Sequence, residues 1–412
     1  MFNYKEARYA VVGVGNAALN HEEVKRAAAQ AGERLFEAGL PVDSRGRSSK
    51  QITKFPVSVP MDGMRERGGG RPQRKRSMCM IDLHLHLDGS LSCQTVWTLA
   101  QQQHITLPVQ TAEALKPFLT APPDCPDLAT YLKCFQIPLS VLQTPDAVCY
   151  ATRELCQTLQ QQGLLYAEIR FAPQLHTASG ATMEQIVEAA ARGVQESGFD
   201  ARLILCAMRA DGVEEQNLQT VRLAKDFLGK SVVGVDLAGD EARYATQQFS
   251  PVFELARQLE VPFTVHAGEA AGSDSVRTAV EAGARRIGHG LNAAGDPELM
   301  DQIMRQQIAI EMCPSSNFQT KAVQEAEQYP LKRWLQSGVL VTINTDNLTV
   351  SDTCLRDEYR LIELIYGLTR EEKQTLVRHA VQASFLPEAE KKALAARVEQ
   401  AFAAEEPAQN GD

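Results

Sequence analysis

The 412-residue chain lacks the marks of several protein classes. Its nine cysteines form no CxxC pair and no regular spacing, which argues against a disulfide framework and for reduced thiols in the cytoplasm. No apolar run reaches the ~18 residues that a membrane span requires. The N-terminus, MFNYKEARYAVV, has no apolar segment of the signal-peptide kind. Positive charge is not in excess: the net charge of −9 gives no support for binding nucleic acid or an anionic membrane. What is present is an ordinary globular balance, 44% apolar and 23% charged residues. The length suits one large barrel with extra helices, or two to three smaller domains.

Residues 1–77 differ from the rest. A strand-like run at Tyr9–Val14 and a helix-like stretch at Glu22–Ala38 lead into RERGGGRPQRKR, Arg65–Arg76. That segment is Gly-rich and basic, cannot bury a core, and reads as a poorly ordered extension ending in a flexible linker. Gly13–Ala18 fits a loose dinucleotide-binding fingerprint, but no convincing second strand follows to complete the required βαβ unit. Met78 or Met80 is a candidate start of the functional polypeptide, which mass spectrometry of the native N-terminus would check. Residues 405–412 read as a disordered polar tail, which leaves 78–404 as the working domain.

From Met80 onward, short apolar or β-branched runs alternate with helical stretches. The runs are IDLHLHL (81–87), LLYAEIRFAP (164–173), ARLILCAMR (201–209), VVGVDLAGDE (232–241), VPFTVHAGE (261–269), ARRIGHG (284–290), QIAIEMCP (307–314) and VLVTINTDN (339–347). From the second onward they recur every ~20–40 residues, enough for a strand and its crossover helix. Eight such units predict an α/β fold, a (β/α)8 TIM barrel with additional helices and its active site at the C-terminal strand ends. The competing open, doubly wound sheet needs an early phosphate-binding glycine loop, and the DGS after the first strand is a poor one. The long first crossover, Asp88 to Gly163, holds helix-like pieces including Leu128–Leu142 and reads as a lid over the barrel mouth.

Polar residues gather at the strand ends. His84 and His86, spaced i and i+2, project from one face of a strand, which in a barrel is the interior. Two imidazoles buried side by side are costly unless a metal or good hydrogen bonds satisfy them. His266 ends the fifth run and Asp346 the eighth, and three imidazoles with one carboxylate suit zinc. Glu269, three residues after His266, is placed to shuttle protons without binding the metal. His289, between glycines in IGHG, is placed to orient an attacking hydroxide or to stabilise developing charge. Asn347 follows Asp346 and both donates and accepts hydrogen bonds. His21, His104, His176 and His379 have no such setting and read as structural.

In order along the chain, IDLHLHLDGSL, YAEIRFAP, VDLAGDE, VHAGEAAG, RIGHG, CPSSN and INTDN resemble the adenosine deaminase family of the metal-dependent amidohydrolase barrels, over about Met80 to Leu394. The resemblance implies one zinc per chain held by His84, His86, His266 and Asp346. It implies Glu269 as the donor of a proton to purine N1 and His289 as the residue positioning the metal hydroxide. It also implies substrate contacts from His86, from Asp88 to ribose, from the Gly239 backbone to purine N3 and from Asn347 to N7. Two positions depart from the pattern. Asn347 stands where many members carry a second aspartate, and Ala172 replaces a serine found in some. The expected reaction is hydrolysis of adenosine and 2′-deoxyadenosine to inosine and 2′-deoxyinosine with release of ammonia, a step of purine salvage needing no organic cofactor. The expected partner is a small purine nucleoside, with no nucleic acid and no membrane.

Rival readings make distinct demands. A binuclear amidohydrolase needs a bridging lysine at the end of the fourth strand, where this chain has VDLAGDE. Cytidine-type deaminases need a PCxxC element, which is missing here. A non-catalytic nucleoside binder would have lost a catalytic residue, and none of the named ones is lost. Related deaminases of adenine, AMP, methylthioadenosine or aminodeoxyfutalosine differ in the specificity group beyond the purine, which lies in the long first crossover; Phe135 and Met208 are candidates for apolar pocket walls.

Overall fold

The structure is a computed structural model in which residues 79–122 and 125–405 are described. The N-terminal extension, its strand-like, helix-like and glycine segments, the basic linker and the polar tail lie outside the described residues, apart from Glu405, where the last helix ends.

Among the described residues eight strands form: β1 Met80–His86, β2 Leu164–Phe171, β3 Ala201–Arg209, β4 Val232–Gly239, β5 Thr264–Ala267, β6 Arg286–His289, β7 Ala309–Met312 and β8 Val341–Ile343. They pair in parallel in chain order, as two four-stranded sheets. Parallel bridges join the sheets at both seams, Val235 with Phe263 and Leu85 with Asp346. At the second seam the backbone of Asp346 both donates to His84 O and accepts from His86 N–H, each at 2.8 Å. Asn344 Oδ1 accepts from Leu83 N–H at 3.0 Å beside it. The strands thus succeed one another around a (β/α)8 barrel, as the spacing of apolar runs predicts.

Each strand is buried on both faces. Leu83, Leu85, Ile169, Val235 and Leu237 alternate outward into the helical shell and are fully or almost fully buried. The helices carry clear stop and start signals. Thr144 caps Pro145–Gln162, whose end falls at Gly163 in the left-handed region, and Thr182 with Gln185 forms a capping box on Met183–Ser197. After Ser351 three helices follow, Leu355–Tyr366, Arg370–Ala383 and Glu388–Glu405.

The lid segment differs from a single helix over Leu128–Leu142. It breaks into Leu128–Leu132, a 3-10 turn Lys133–Phe135, and Gln136–Val141. Pro138 is the cause: lacking an N–H and clashing with the preceding turn, it is tolerated only in a first turn, so the helix restarts at Gln136.

Candidate active site

His84 and His86 point inward from β1, His266 from β5, and Asp346 from the turn after β8. One ligand atom from each lies within 4.8 Å of the others. His86 Nε2 is 3.2 Å from His266 Nε2, and Asp346 Oδ1 is 3.5 Å from the Nε2 atoms of both His84 and His86. A tetrahedron with ~2.0–2.1 Å zinc–ligand bonds has edges of roughly 3.3–3.4 Å, so the spacing fits a small cation. His84 Nε2 is fully buried and has no hydrogen-bond partner, a cost that a metal would relieve.

Backbone strain sharpens the arrangement. Among the described residues, seven non-glycine residues have positive φ; five are exposed, and the two buried ones are His289 (64°) and Asp346 (59°). The left-handed turn at Asp346 lets Asp346 and Asn347 both line the cavity, although neighbours on a regular strand face opposite ways.

A layer of charge beneath the cluster holds it. Glu311 on β7 lies 2.8 Å from His84 Nδ1, and Asp236 on β4 lies 2.9 Å from His266 Nδ1. With Nδ1 turned to a carboxylate, each ring presents Nε2 to the centre. The guanidinium of Arg170 on β2 donates to both carboxylates, at 2.9 Å to Asp236 and 3.0 Å to Glu311. Arg286 pairs with Glu168 and Glu311 in the same layer. Asp82 accepts from the Thr345 hydroxyl at 2.6 Å and so fixes the turn that carries Asp346.

The electrostatics favour a cation. Burial opposes charge at Asp346, but the His84 ring 3.5 Å away and the other facing imidazoles hold its carboxyl far below the usual range. Burial, then Arg170, opposes charge on His84, yet Asp346 and Glu311 pull its pKa up. Burial and neighbouring imidazoles push His86 and His289 well down, so both are neutral bases.

Glu269 and His289 flank the cluster, with His289 Nε2 3.6 Å from Glu269 Oε2. Burial, reinforced by the Asp346 charge, pushes the Glu269 pKa up to about 8, so its carboxyl carries a proton at neutral pH. The His289 tautomer follows from its partner. Asn317 Oδ1 accepts from Tyr329 Oη at 3.1 Å and Cys313 N–H at 3.3 Å, which turns its amide nitrogen to His289 Nδ1 at 2.8 Å. His289 Nδ1 is therefore an acceptor, and Nε2–H faces the site.

A cavity of about 190 Å³ opens over this group. His86, Asp88, Gly239, His266, Glu269, His289, Asp346 and Asn347 line it, and the remaining expected residue, the fully buried His84, joins them through the four-residue cluster. Phe135, Met208 and Ala172 form apolar wall with Leu128, Leu132 and Leu175. Gly239 takes φ 108°, and a Cβ there would press on Arg209. Burial raises the Asp88 pKa to about 6, and its Oδ1 is buried without a partner. Elsewhere His176 Nδ1 meets Leu142 O and His379 Nδ1 meets Val341 O, structural roles as expected.

Sequence reasoning missed the supporting residues Asp82, Arg170, Asp236, Glu311 and Asn317. A signal existed for several of them. Arg170, Asp236 and Glu311 are charges at inward positions of otherwise apolar strands, which is tolerable only when they are paired.

An eight-stranded parallel barrel with a buried His/Asp cluster at its C-terminal strand ends defines a metal-dependent hydrolase. The adenosine deaminase family model matches residues 80–401. The chain is 49% identical over 331 residues to the Adenosine deaminase of Haemophilus ducreyi, covering 78% of this chain and 96% of that one. It is 40% identical to the Adenosine deaminase of Enterococcus faecalis, covering 80% and 98%. The chain belongs to the adenosine deaminase family and is a hydrolytic deaminase. Solved structures share the fold: an adenine deaminase from Arthrobacter aurescens (TM-score 0.70, 24% identity, 78% and 98% coverage), and an amidohydrolase from Burkholderia ambifaria with bound Zn (TM-score 0.70, 21% identity, 79% and 92% coverage).

Proposed function

We propose that the chain hydrolyses adenosine and 2′-deoxyadenosine to inosine and 2′-deoxyinosine, releasing ammonia, with one zinc ion held by His84, His86, His266 and Asp346. The observation that carries this reading is the closing of those four ligand atoms to within 4.8 Å beside a protonated Glu269 and a neutral His289. Zinc, when bound there, supplies a water whose pKa is lowered toward ~7, a nucleophile at neutral pH.

The chain's own residues do the rest. Glu269 holds a proton at its carboxyl and delivers it to purine N1, which makes C6 electrophilic. His289 offers Nε2–H to the oxygen that attacks C6 and to the charge that develops on it. Asp88 accepts a ribose hydroxyl through its partnerless Oδ1, which favours a nucleoside over free adenine. Among the described residues the cavity lining has no Lys or Arg to meet a phosphate, which favours a nucleoside over AMP. The Gly239 backbone and Asn347 contact the purine edge. No helix among the described residues is long and apolar enough to cross a membrane, and the unpaired cysteine spacing supports a cytoplasmic role in purine metabolism.

Incubation with adenosine, followed by ultraviolet absorbance of the purine and metal analysis of the protein, tests the reading. Conversion with one zinc per chain supports it. Turnover of methylthioadenosine, aminodeoxyfutalosine or adenine but not adenosine would move the substrate assignment; no turnover of any would favour a non-catalytic binder, and two metals a binuclear site.

A further inference from the structure

Asn347 is clamped from two sides. Its amide nitrogen donates to the Tyr131 hydroxyl at 2.9 Å. The same hydroxyl lies 2.7 Å from Ser351 Oγ. A phenol has one proton; with that proton on Ser351, its oxygen is left to accept from Asn347. On the other side Asn347 Oδ1 rests over Gly89, where a Cβ would come within 1.7 Å of it. That oxygen is buried and has no donor. With one N–H on Tyr131 and the oxygen buried, the second N–H is the group left for a ligand in the cavity that Asn347 lines.

Tyr131 belongs to the lid, not to the barrel. It is 2% exposed, in a small apolar cluster with Ala121, Cys125, Cys134 and Val350. Beside it the lid is tied to the turn after β8 by Ala121 N–H to Val350 O at 2.8 Å and by the Thr120 hydroxyl to Thr349 O at 3.0 Å. The orientation of the amide and the seating of the lid are thus one arrangement.

We infer that Tyr131 is a specificity-determining positioning residue, whose hydroxyl fixes the Asn347 amide so that the ligand atom docked there must be a hydrogen-bond acceptor. The inference rests on the adenosine reading above, in which that atom is purine N7. An amide held this way donates at any pH, whereas a carboxyl at position 347 would have to be protonated first. It also makes recognition of the purine edge depend on a lid residue more than 200 positions away in the chain.

The test compares the dissociation constants of inosine and 7-deazainosine, in which N7 is replaced by C–H, on the zinc-loaded enzyme. The wild type binds inosine more tightly by about 5–10-fold, the worth of one hydrogen bond. Tyr131→Phe narrows that ratio by about fivefold while 7-deazainosine binding changes by less than about twofold. Tyr131→Phe added to Asn347→Ala leaves the ratio where Asn347→Ala has set it. Equal weakening of both ligands in Tyr131→Phe, or an unchanged ratio, overturns the role of Tyr131 and leaves the adenosine reading intact. A wild type that binds both ligands alike overturns the purine-edge contact, and this inference with it.

Discussion

The carboxylate of Glu241 accepts from the backbone N–H of Glu269 at 3.0 Å. It also takes the N–H groups of Gly268, Ala270 and Ala271 at 2.7, 2.8 and 3.0 Å and the Ser275 hydroxyl at 2.5 Å. Five donors converge on one side chain, so the loop that carries Glu269 is shaped by a residue at the end of the preceding strand unit. Glu241→Gln sets an NH2 group against donors and loosens that loop. We expect kcat to fall by about 10–100-fold with bound zinc unchanged. The Glu241 charge, after burial and Asp346, also helps hold the Glu269 pKa up. Neutralising it shifts the alkaline limb of the pH–rate profile to lower pH. Metal analysis with a pH profile checks both; zinc lost in step with activity would contradict the positioning role.

In the proposed reaction Glu269 is the acid, so its protonated form is the active one. With its pKa raised to about 8, turnover declines as pH climbs through that value. A bound cation lowers the pKa of a nearby carboxyl, which sets the limb at or below about 8. Glu269→Gln keeps the size and removes the proton. The variant should retain its metal and lose roughly 10²–10⁴-fold in kcat. Steady-state rates over a pH series, with zinc measured on the same samples, decide the matter; a Gln variant with near wild-type turnover would remove Glu269 from the chemistry.

What was legible in the sequence follows from range. The eight strands were readable because each buries both faces and so appears as an apolar run bounded by polar turns. The His/Asp cluster was readable because His84 and His86 are two residues apart on one strand, and His266 and Asp346 stand at strand ends. Within the lid only the piece Leu128–Leu142 differs, breaking into three short elements where the apolar spacing suggests one, because Pro138 confines the last helix to Gln136–Val141. The supporting layer was hard to read because its pairings cross the barrel: Glu311 meets His84 and Arg170, 227 and 141 positions away. No local pattern encodes such a partnership. The sharing of the cavity by Asp346 and Asn347 depends on a positive φ at an aspartate, a conformation that the surrounding hydrogen bonds impose and that propensity disfavours.

Removing the metal tests the cluster independently of catalysis. Without a cation, Asp346 and three imidazoles are crowded in a nearly closed space, and His84 Nε2 is left without a partner. A ligand at 100-fold excess over its Kd stabilises the folded state by about 2.7 kcal/mol. Chelation should therefore lower Tm by roughly 5 °C, and readdition of zinc should restore it. Asp346→Ala should abolish the zinc response of both Tm and activity. An unchanged Tm across chelation and readdition would argue that no metal binds there.

The last expectation concerns stability in acid and the footing of the lid. His176, in the turn after β2, has Nδ1 3.0 Å from Leu142 O, at the end of the last lid helix, and its Nε2 is buried without a partner. Burial lowers its pKa from 6.5 to about 4, and the bond to Leu142 only partly opposes this. The unfolded chain therefore takes up the proton first. The contribution of His176 is complete above pH ~6.5, is lost as pH falls toward about 4, and is flat below that. The difference corresponds to ~3 kcal/mol across the window. Asn at position 176 keeps a donor for Leu142 O and removes the titration. Urea unfolding at pH 7 and pH 4 should find wild type ahead of His176→Asn at the higher pH, with that lead reduced by ~3 kcal/mol at the lower. Parallel pH profiles for the two proteins would show that the buried imidazole does not link proton uptake to the loss of the lid's anchor.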